Sequence, residues 1–387
     1  MPELGTPLSR WATVRGVTAA TVTPLASILG SGLLIIVPIL ERALGVFAVF
    51  GGIGICAFAW LVGTVIRHNV TVIGQQKTDG TLDAMTGRLG RLGDAVIVIA
   101  YVISVALYLR IMAQYMVGFF IPAGSAILEP VIACVSVALI MAIGIFRGFK
   151  GLDRIDRISL AAVLLLTTVL GGVLLLHDGV LLSSSGLRLP PPPPAGPLEA
   201  LLILGGLVIT VQGFETVRYL GHRYDAVTRV RASRAAQLVS ASIYIGFVAV
   251  ATPVMGLGTA AGPDTTLLNI TGRIAPWLAL PLVLSAVLSQ FSAAIADTEA
   301  TKGNLTALSR WLSGPRPYLI SGAAAIAIAA MVPTLTLVTI ASRAFAAYYA
   351  VEATIAFRTT SGYYRKCGVA LLALLLLAIT LFAQPAS

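Results

Sequence analysis

The sequence predicts an all-α polytopic membrane protein of about eleven transmembrane helices, a 5+5 inverted repeat in which helices 1 and 6 are discontinuous. Three observations carry that expectation. The 387 residues are 57% hydrophobic and only 11% charged, with a mean hydropathy of +0.93, far from the balance of a water-soluble domain. The apolar residues fall into runs long enough to cross a bilayer core about 30 Å thick, which takes roughly 20 residues per helix. Two of these runs, five spans apart, are interrupted by glycine beside polar residues.

Apolar runs bounded by charges, Gly and Pro place the spans near 17–40, 44–66, 92–121, 126–146, 157–178, 198–220, 233–257, 278–301, 317–333, 334–357 and 366–383. The whole chain then forms one transmembrane domain. Repeat one covers about 17–178, repeat two about 198–357, and an extra helix about 366–383. With the N-terminus inside, only Arg42, Arg188 and Arg273 of the 26 Lys and Arg fall outside, and Arg110 and Arg343 lie within spans. The positive-inside rule therefore puts the N-terminus in the cytoplasm and the C-terminus outside, in a plasma or inner membrane. The basic residues recur loop by loop instead of lining one face, which argues against a nucleic-acid partner. Lipid and a small solute are the partners expected.

Arg10 and Arg15 precede the first span without the short apolar region and cleavage site of a secretory signal, so that span is expected to stay. Cys56, Cys134 and Cys367 are odd in number and widely spaced, which fits packing better than disulfides or metal. Between spans, Pro190 to Pro194 predict an extended spacer within 183–197. The stretch 81–90 predicts a short interfacial helix, and 264–277 a second cap.

The two interruptions carry the functional signal. Gly30-Ser31-Gly32 sits in the middle of the first span, where each glycine lowers helix propensity by about 1 kcal/mol. Unwinding there would free backbone groups for a ligand, whereas close helix packing would use the same small residues. In the sixth span Gln212-Gly213-Phe214-Glu215 puts an amide, a glycine and a carboxylate in an apolar run. A charge at that depth costs about 2.5 to 3.5 kcal/mol and marks a functional site by default. Paired breaks in spans one and six fit transporters whose half-helix ends face substrate at the bilayer midplane.

On these residues the chain resembles the amino acid-polyamine-organocation (APC) transporter superfamily. Gly30-Ser31-Gly32 with the apolar run to Pro38 is similar to that family's first-helix GSG motif, and Gly213-Phe214-Glu215 to its sixth-helix GFE motif. The basic loop Arg223 to Arg234 before span seven also matches in place. The Pro- and Gly-rich loop usual after the family's second span is replaced here by Gln75-Gln76-Lys77-Thr78-Asp79-Gly80. The resemblance, over spans one to ten, implies an inverted-repeat bundle and alternating-access transport, often coupled to sodium or protons. An amino acid or related amine is the expected solute, since half-helix ends suit a carboxylate and Glu215 suits an amine.

Ser27, Gly30, Ser31, Gly32, Gln212, Gly213, Phe214 and Glu215 are the candidate solute contacts. Tyr101, Tyr108 and Tyr115 form one stripe on span three that fits a packing seam better than a ligand cage, with Tyr108 a candidate to face the site as a span-three tyrosine does in similar folds. Arg110 and Arg343 need partners at their depth; either an ion pair or a substrate carboxylate would supply one. Span eight is unusually polar from Ser289 to Glu299, with Gln290, Ala294, Asp297 and Thr301 on one face. Ser289, Ser292, Asp297 and Thr298 are the coupling-ion candidates. Sodium would take Ser292, Asp297 and Thr298 as oxygen ligands, as the resemblance implies, or Asp297 would carry a proton. In the bland alternative Asp297 and Glu299 simply meet water at the helix end. No other cofactor is expected.

Other function classes have less support. His68, His177 and His222 lie near span ends with no HExxH spacing, and no GxSxG elbow is present, so an intramembrane enzyme is disfavoured. A channel shares the polar spans but fits paired breaks less well, whereas a transporter-like receptor or subunit that binds without transport is hardly separated from a transporter by sequence.

Overall fold

The computed structural model describes residues 10–121, 124–148, 152–184, 186, 189–192, 196–255 and 266–385. No strand occurs among them. The helices are α1 (Arg10–Leu44), α2 (Ala48–Thr78), α3 (Ala84–Phe120), α4 (Leu128–Phe146), α5 (Leu152–Ser184), α6 (Pro197–Gly205), α7 (Ala226–Met255), α8 (Thr266–Ile274), α9 (Pro276–Leu308), α10 (Arg316–Met331), α11 (Thr334–Thr359) and α12 (Tyr363–Phe382). Span six is composite: α6 is followed by 3₁₀ segments at Val208–Val211 and Phe214–His222. Each of the eleven expected spans has its counterpart, and α8 provides the expected cap.

The spans pack in a regular pattern. α1 lies against span six, α2 against α7, α3 against α9 and α4 against α10, so the first four spans each meet the one five places later. α3 is the central post, its middle buried from Ala100 to Ala113 between α9 and α11. The exposed apolar side chains, among them Phe50, Leu139, Leu165 and Leu375, lie on helix faces turned away from this core, as lipid-facing surfaces require.

Two expectations change. Helix α1 is continuous through Gly30, Ser31 and Gly32. These small residues serve close packing there: a Cβ on Gly32 would lie 1.8 Å from the Thr210 carbonyl oxygen of span six, while one on Gly30 would sit 3.6 Å from the Ser289 carbonyl. The unwinding expected of both helices is concentrated in span six, and α1 supplies the groove that accommodates it. The Ser31 side chain lies outside the described residues. The second change concerns 81–90, which is no separate interfacial helix. Asp83 caps the Thr86 amide at 3.2 Å, and α3 runs unbroken from Ala84. Arg358 bonds the same carboxylate at 2.8 Å and, with Thr86, holds the Asp83 carboxyl below its usual range. Pro190 to Pro192 have no regular structure; Pro193 and Pro194 lie outside the described residues.

The irregular stretch of span six keeps its backbone satisfied by side chains from two helices, α7 and α11. Ser342 of α11 donates to the Gly206 carbonyl at 2.7 Å and accepts the Ile209 amide at 3.0 Å. Tyr244 of α7 donates to the Thr210 carbonyl at 2.9 Å and to the Ile28 carbonyl of α1 at 2.6 Å. Gly213 adopts φ +122°, where only glycine is unstrained, and a Cβ there would reach the Ser27 hydroxyl at 2.7 Å. Gly32 and Gly213 thus key α1 and the break together from both sides. Gly32→Ala is expected to cost at least about 3 kcal/mol and to prevent recovery of monodisperse protein. Gly30→Ala, with ordinary contact distance, is expected to stay within about 1 kcal/mol of the natural chain in thermal unfolding.

Candidate functional site

Glu215 follows Gly213 by two residues, and the turn folds its side chain back over its own backbone. Its Oε2 accepts the Gly213 amide at 2.9 Å and the Tyr349 hydroxyl of α11 at 2.9 Å, in a fully buried setting. Phe214 stacks on the same Tyr349 ring, with centroids 5.4 Å apart and planes 19° off parallel. Gln212 donates through Nε2 to the Tyr108 hydroxyl at 2.7 Å. Tyr108 is also within hydrogen-bonding reach of Ser104, and Ser104 donates to Asp297 on α9. Ser104 and Tyr108 lie one turn apart on α3, so a line of polar groups runs from the break through α3 to α9.

α9 continues to Leu308, eleven residues past Asp297, so this carboxylate is buried within the bundle and not at a wet helix end. Gln290, two turns earlier on the same face, donates to the Gly30 carbonyl of α1 at 2.5 Å. Among the described residues, three side-chain oxygens in this core have no hydrogen-bond donor: Oε1 of Gln212, Oε1 of Glu215 and Oε1 of Gln290. Leaving such an acceptor unpaired costs about 1 to 3 kcal/mol, and more for a charged group. A ligand bearing N–H or O–H groups would relieve that cost.

The remaining candidates divide. Ser27 lies beside Gly213 at the break. Ser292 turns away from Asp297 and donates to Asp156 of α5 at 2.7 Å, while Ser289 and Thr298 spend their hydroxyls on the α9 carbonyls of Ala286 and Ala294. Ser292 and Asp297 therefore face different helices, α5 and α3. Arg343 donates through Nε to the Ala383 carbonyl at 3.0 Å, capping the C-terminal end of α12, where a cation is favourable. It does not point to the break. Arg110 is buried on α3 with its Nε unpaired, and no ion pair forms with it among the described residues.

A second cluster went unnoticed in the sequence. Arg218, one turn beyond Glu215, bonds Glu352 of α11 at 2.7 Å and Asp94 of α3 at 3.5 Å. Asn69 of α2 donates to the other Glu352 oxygen at 2.7 Å, so this carboxylate, 1% exposed, ties together α2, α11 and span six. Beside it Tyr219 accepts from Asn304 of α9 at 3.0 Å and lies against Tyr101. Beyond the cluster a cavity of about 850 Å³ opens at the end of the bundle that carries the basic loops. Arg218, Glu352 and the tyrosines separate that cavity from Glu215. Glu352 carries the same sequence signal as Glu215, a lone carboxylate in an apolar span. Arg218 was hidden by its place at the edge of a basic loop.

The APC superfamily transporter model matches residues 11–383 of this chain. The chain belongs to the APC superfamily. An uncharacterized protein of Aquifex aeolicus (strain VF5) is 30% identical over 344 residues, 87% of this chain and 82% of that protein. Among solved structures, the nucleobase-cation-symport-1 family transporter Mhp1, in a closed conformation with bromovinylhydantoin bound, superposes with a TM-score of 0.61 at 11% identity, covering 95% of this chain and 91% of the other. The inward-facing conformation of Mhp1 gives 0.58 at 13% identity, over 94% and 88%. The fold of this APC protein is thus that of a membrane transporter, and the intramembrane-enzyme alternative falls away.

Two outcomes follow from the geometry. Arg343→Ala is expected to lower thermal stability by about 1 to 2 kcal/mol while solute binding stays unchanged, because only the α12 cap is lost. Glu352→Gln removes the charge that holds Arg218; accessibility of a cysteine placed at Tyr101 to a charged thiol reagent is expected to rise about tenfold in reconstituted vesicles.

Proposed function

We propose that this transporter moves a small organic solute rich in hydrogen-bond donors, an amino acid or related amine, by alternating access coupled to protons. The observation that carries this reading is the set of three unpaired oxygens on Gln212, Glu215 and Gln290 around the break. An ammonium group would satisfy Glu215 and one neighbouring amide oxygen at once, and charge-assisted bonds of this kind are roughly twice as strong as neutral ones. The site offers few cationic donors for a carboxylate, so that end of the solute is left to backbone amides near the break.

Proton coupling is favoured over sodium because Asp297 has a hydroxyl partner, a nearby second carboxylate and no recorded ion pair among the described residues. Ser292 and Asp297 face different helices, α5 and α3, which disfavours their sharing one sodium ion. A proton on Asp297 would relieve its repulsion with Glu215, and solute binding at Glu215 would shift the same balance. The pairing of each early span with the one five places later supports two repeats, 17–178 and 198–357, with 366–383 added. The basic-loop asymmetry supports a cytoplasmic N-terminus in a plasma or inner membrane, with the cluster at Arg218 as the inner seal.

The fold neighbour's ligand, a hydantoin, also presents N–H groups, so cyclic amides belong in the screen beside amino acids and amines. A thermal-shift screen identifies the solute, and counterflow in proteoliposomes then tests transport. Glu215→Gln is expected to reduce counterflow at least about tenfold with little change in unfolding temperature. Asp297→Asn is expected to keep counterflow but lose accumulation driven by an imposed pH gradient. Accumulation that follows a sodium gradient and ignores pH would refute proton coupling, and binding without counterflow would favour the receptor alternative.

A further inference from the structure

We propose that the cavity at the basic end is a binding site for a phosphate-bearing anion, separate from the buried solute site. Three acids line it, and all are engaged: Glu352 and Asp94 by Arg218, at 2.7 and 3.5 Å, and Asp83 by Arg358 at 2.8 Å. Four cations on its wall, Lys77, Arg88, Arg91 and Arg229, have no carboxylate within ion-pair distance among the described residues. Arg229 also holds its Nε buried without an acceptor. The first turn of α3 enters the same cavity, so the N-terminal amides of a 37-residue helix add to the positive potential.

The chemistry selects the ligand class. Arginine forks match the several oxygens of a phosphoryl group, and cations drawn from α2, α3 and α7 surround it from more than one side. At about 850 Å³ the cavity is larger than inorganic phosphate needs, and Val70, Ile73, Leu82 and Ile355 give it apolar wall for an attached organic group. A phospholipid headgroup and a soluble phosphorylated metabolite share this chemistry.

The floor of the cavity contains Arg218. A bound dianion there competes with Glu352 and Asp94 for that guanidinium, loosening the contacts that separate the cavity from Glu215. Occupancy is therefore linked to opening at this end, in either direction by reciprocity.

The test uses the full-length chain. Binding of glycerol 3-phosphate is measured by calorimetry in detergent, and binding to nanodiscs compares phosphatidylglycerol with phosphatidylcholine. Saturable binding is expected, weakened about tenfold in Arg88→Ala/Arg91→Ala and less than about twofold in Arg310→Ala, a basic-loop residue outside the cavity. Should the double variant misfold, Lys77→Gln at an exposed position serves, with about threefold weakening expected. The same variant pattern seen only with phosphatidylglycerol identifies the lipid headgroup as the ligand; seen with glycerol 3-phosphate in detergent, it identifies a soluble anion. No saturable binding of either probe, or equal loss in Arg310→Ala, overturns the site.

Discussion

The structure depends on one constraint: backbone that leaves the helix inside a membrane must find its hydrogen bonds within the protein. Span six leaves the helix after Gly205, and every later choice around it answers that constraint. Ser342 bridges Gly206 and Ile209, Tyr244 takes the Thr210 carbonyl, and Glu215 takes the Gly213 amide. Gly32 on α1 is bare because the Thr210 carbonyl needs its space. The break is therefore held by α1, α7 and α11 together, and a movement of span six must be felt by all three.

The polar groups that satisfy the break are only partly satisfied themselves. Each of Gln212, Glu215 and Gln290 uses one end to hold structure and leaves the other oxygen without a donor. This arrangement stores cost in a rigid frame, as preorganised binding sites do. The carboxylate of Asp297 lies at the far end of the same chain of contacts, through Ser104 and Tyr108, so the solute contacts and the proposed coupling group share one network. On the other side the Arg218 cluster lines the cavity at the basic end, where it is the proposed seal. A transporter needs both a site and a seal, and here only Thr216 and Val217 separate Glu215 from Arg218 along the chain.

Much of this was legible in the sequence because membrane physics leaves strong marks. Span count, the interrupted sixth helix and the buried status of Glu215 and Asp297 follow from apolar length and from the cost of charge at depth. Gly30-Ser31-Gly32 misled in one respect. Glycine signals either unwinding or close approach, and only the position of the Thr210 carbonyl decides between them. Arg343 misled for a related reason: a charge within a span needs a partner, but the partner, the end of α12, is forty residues away in sequence. Ser292 and Asp297 lie on one helix but face different neighbours, which helical spacing alone does not reveal. The Arg218 and Glu352 pair was missed because its members sit 134 residues apart, one of them grouped with the residues of a basic loop.

The measurement that bears most directly on this account is a structure of the protein with its transported solute bound. The account predicts donor groups of the solute within about 3 Å of the free oxygens of Gln212, Glu215 and Gln290. A solute seated elsewhere, with those three oxygens still unpaired, would contradict it.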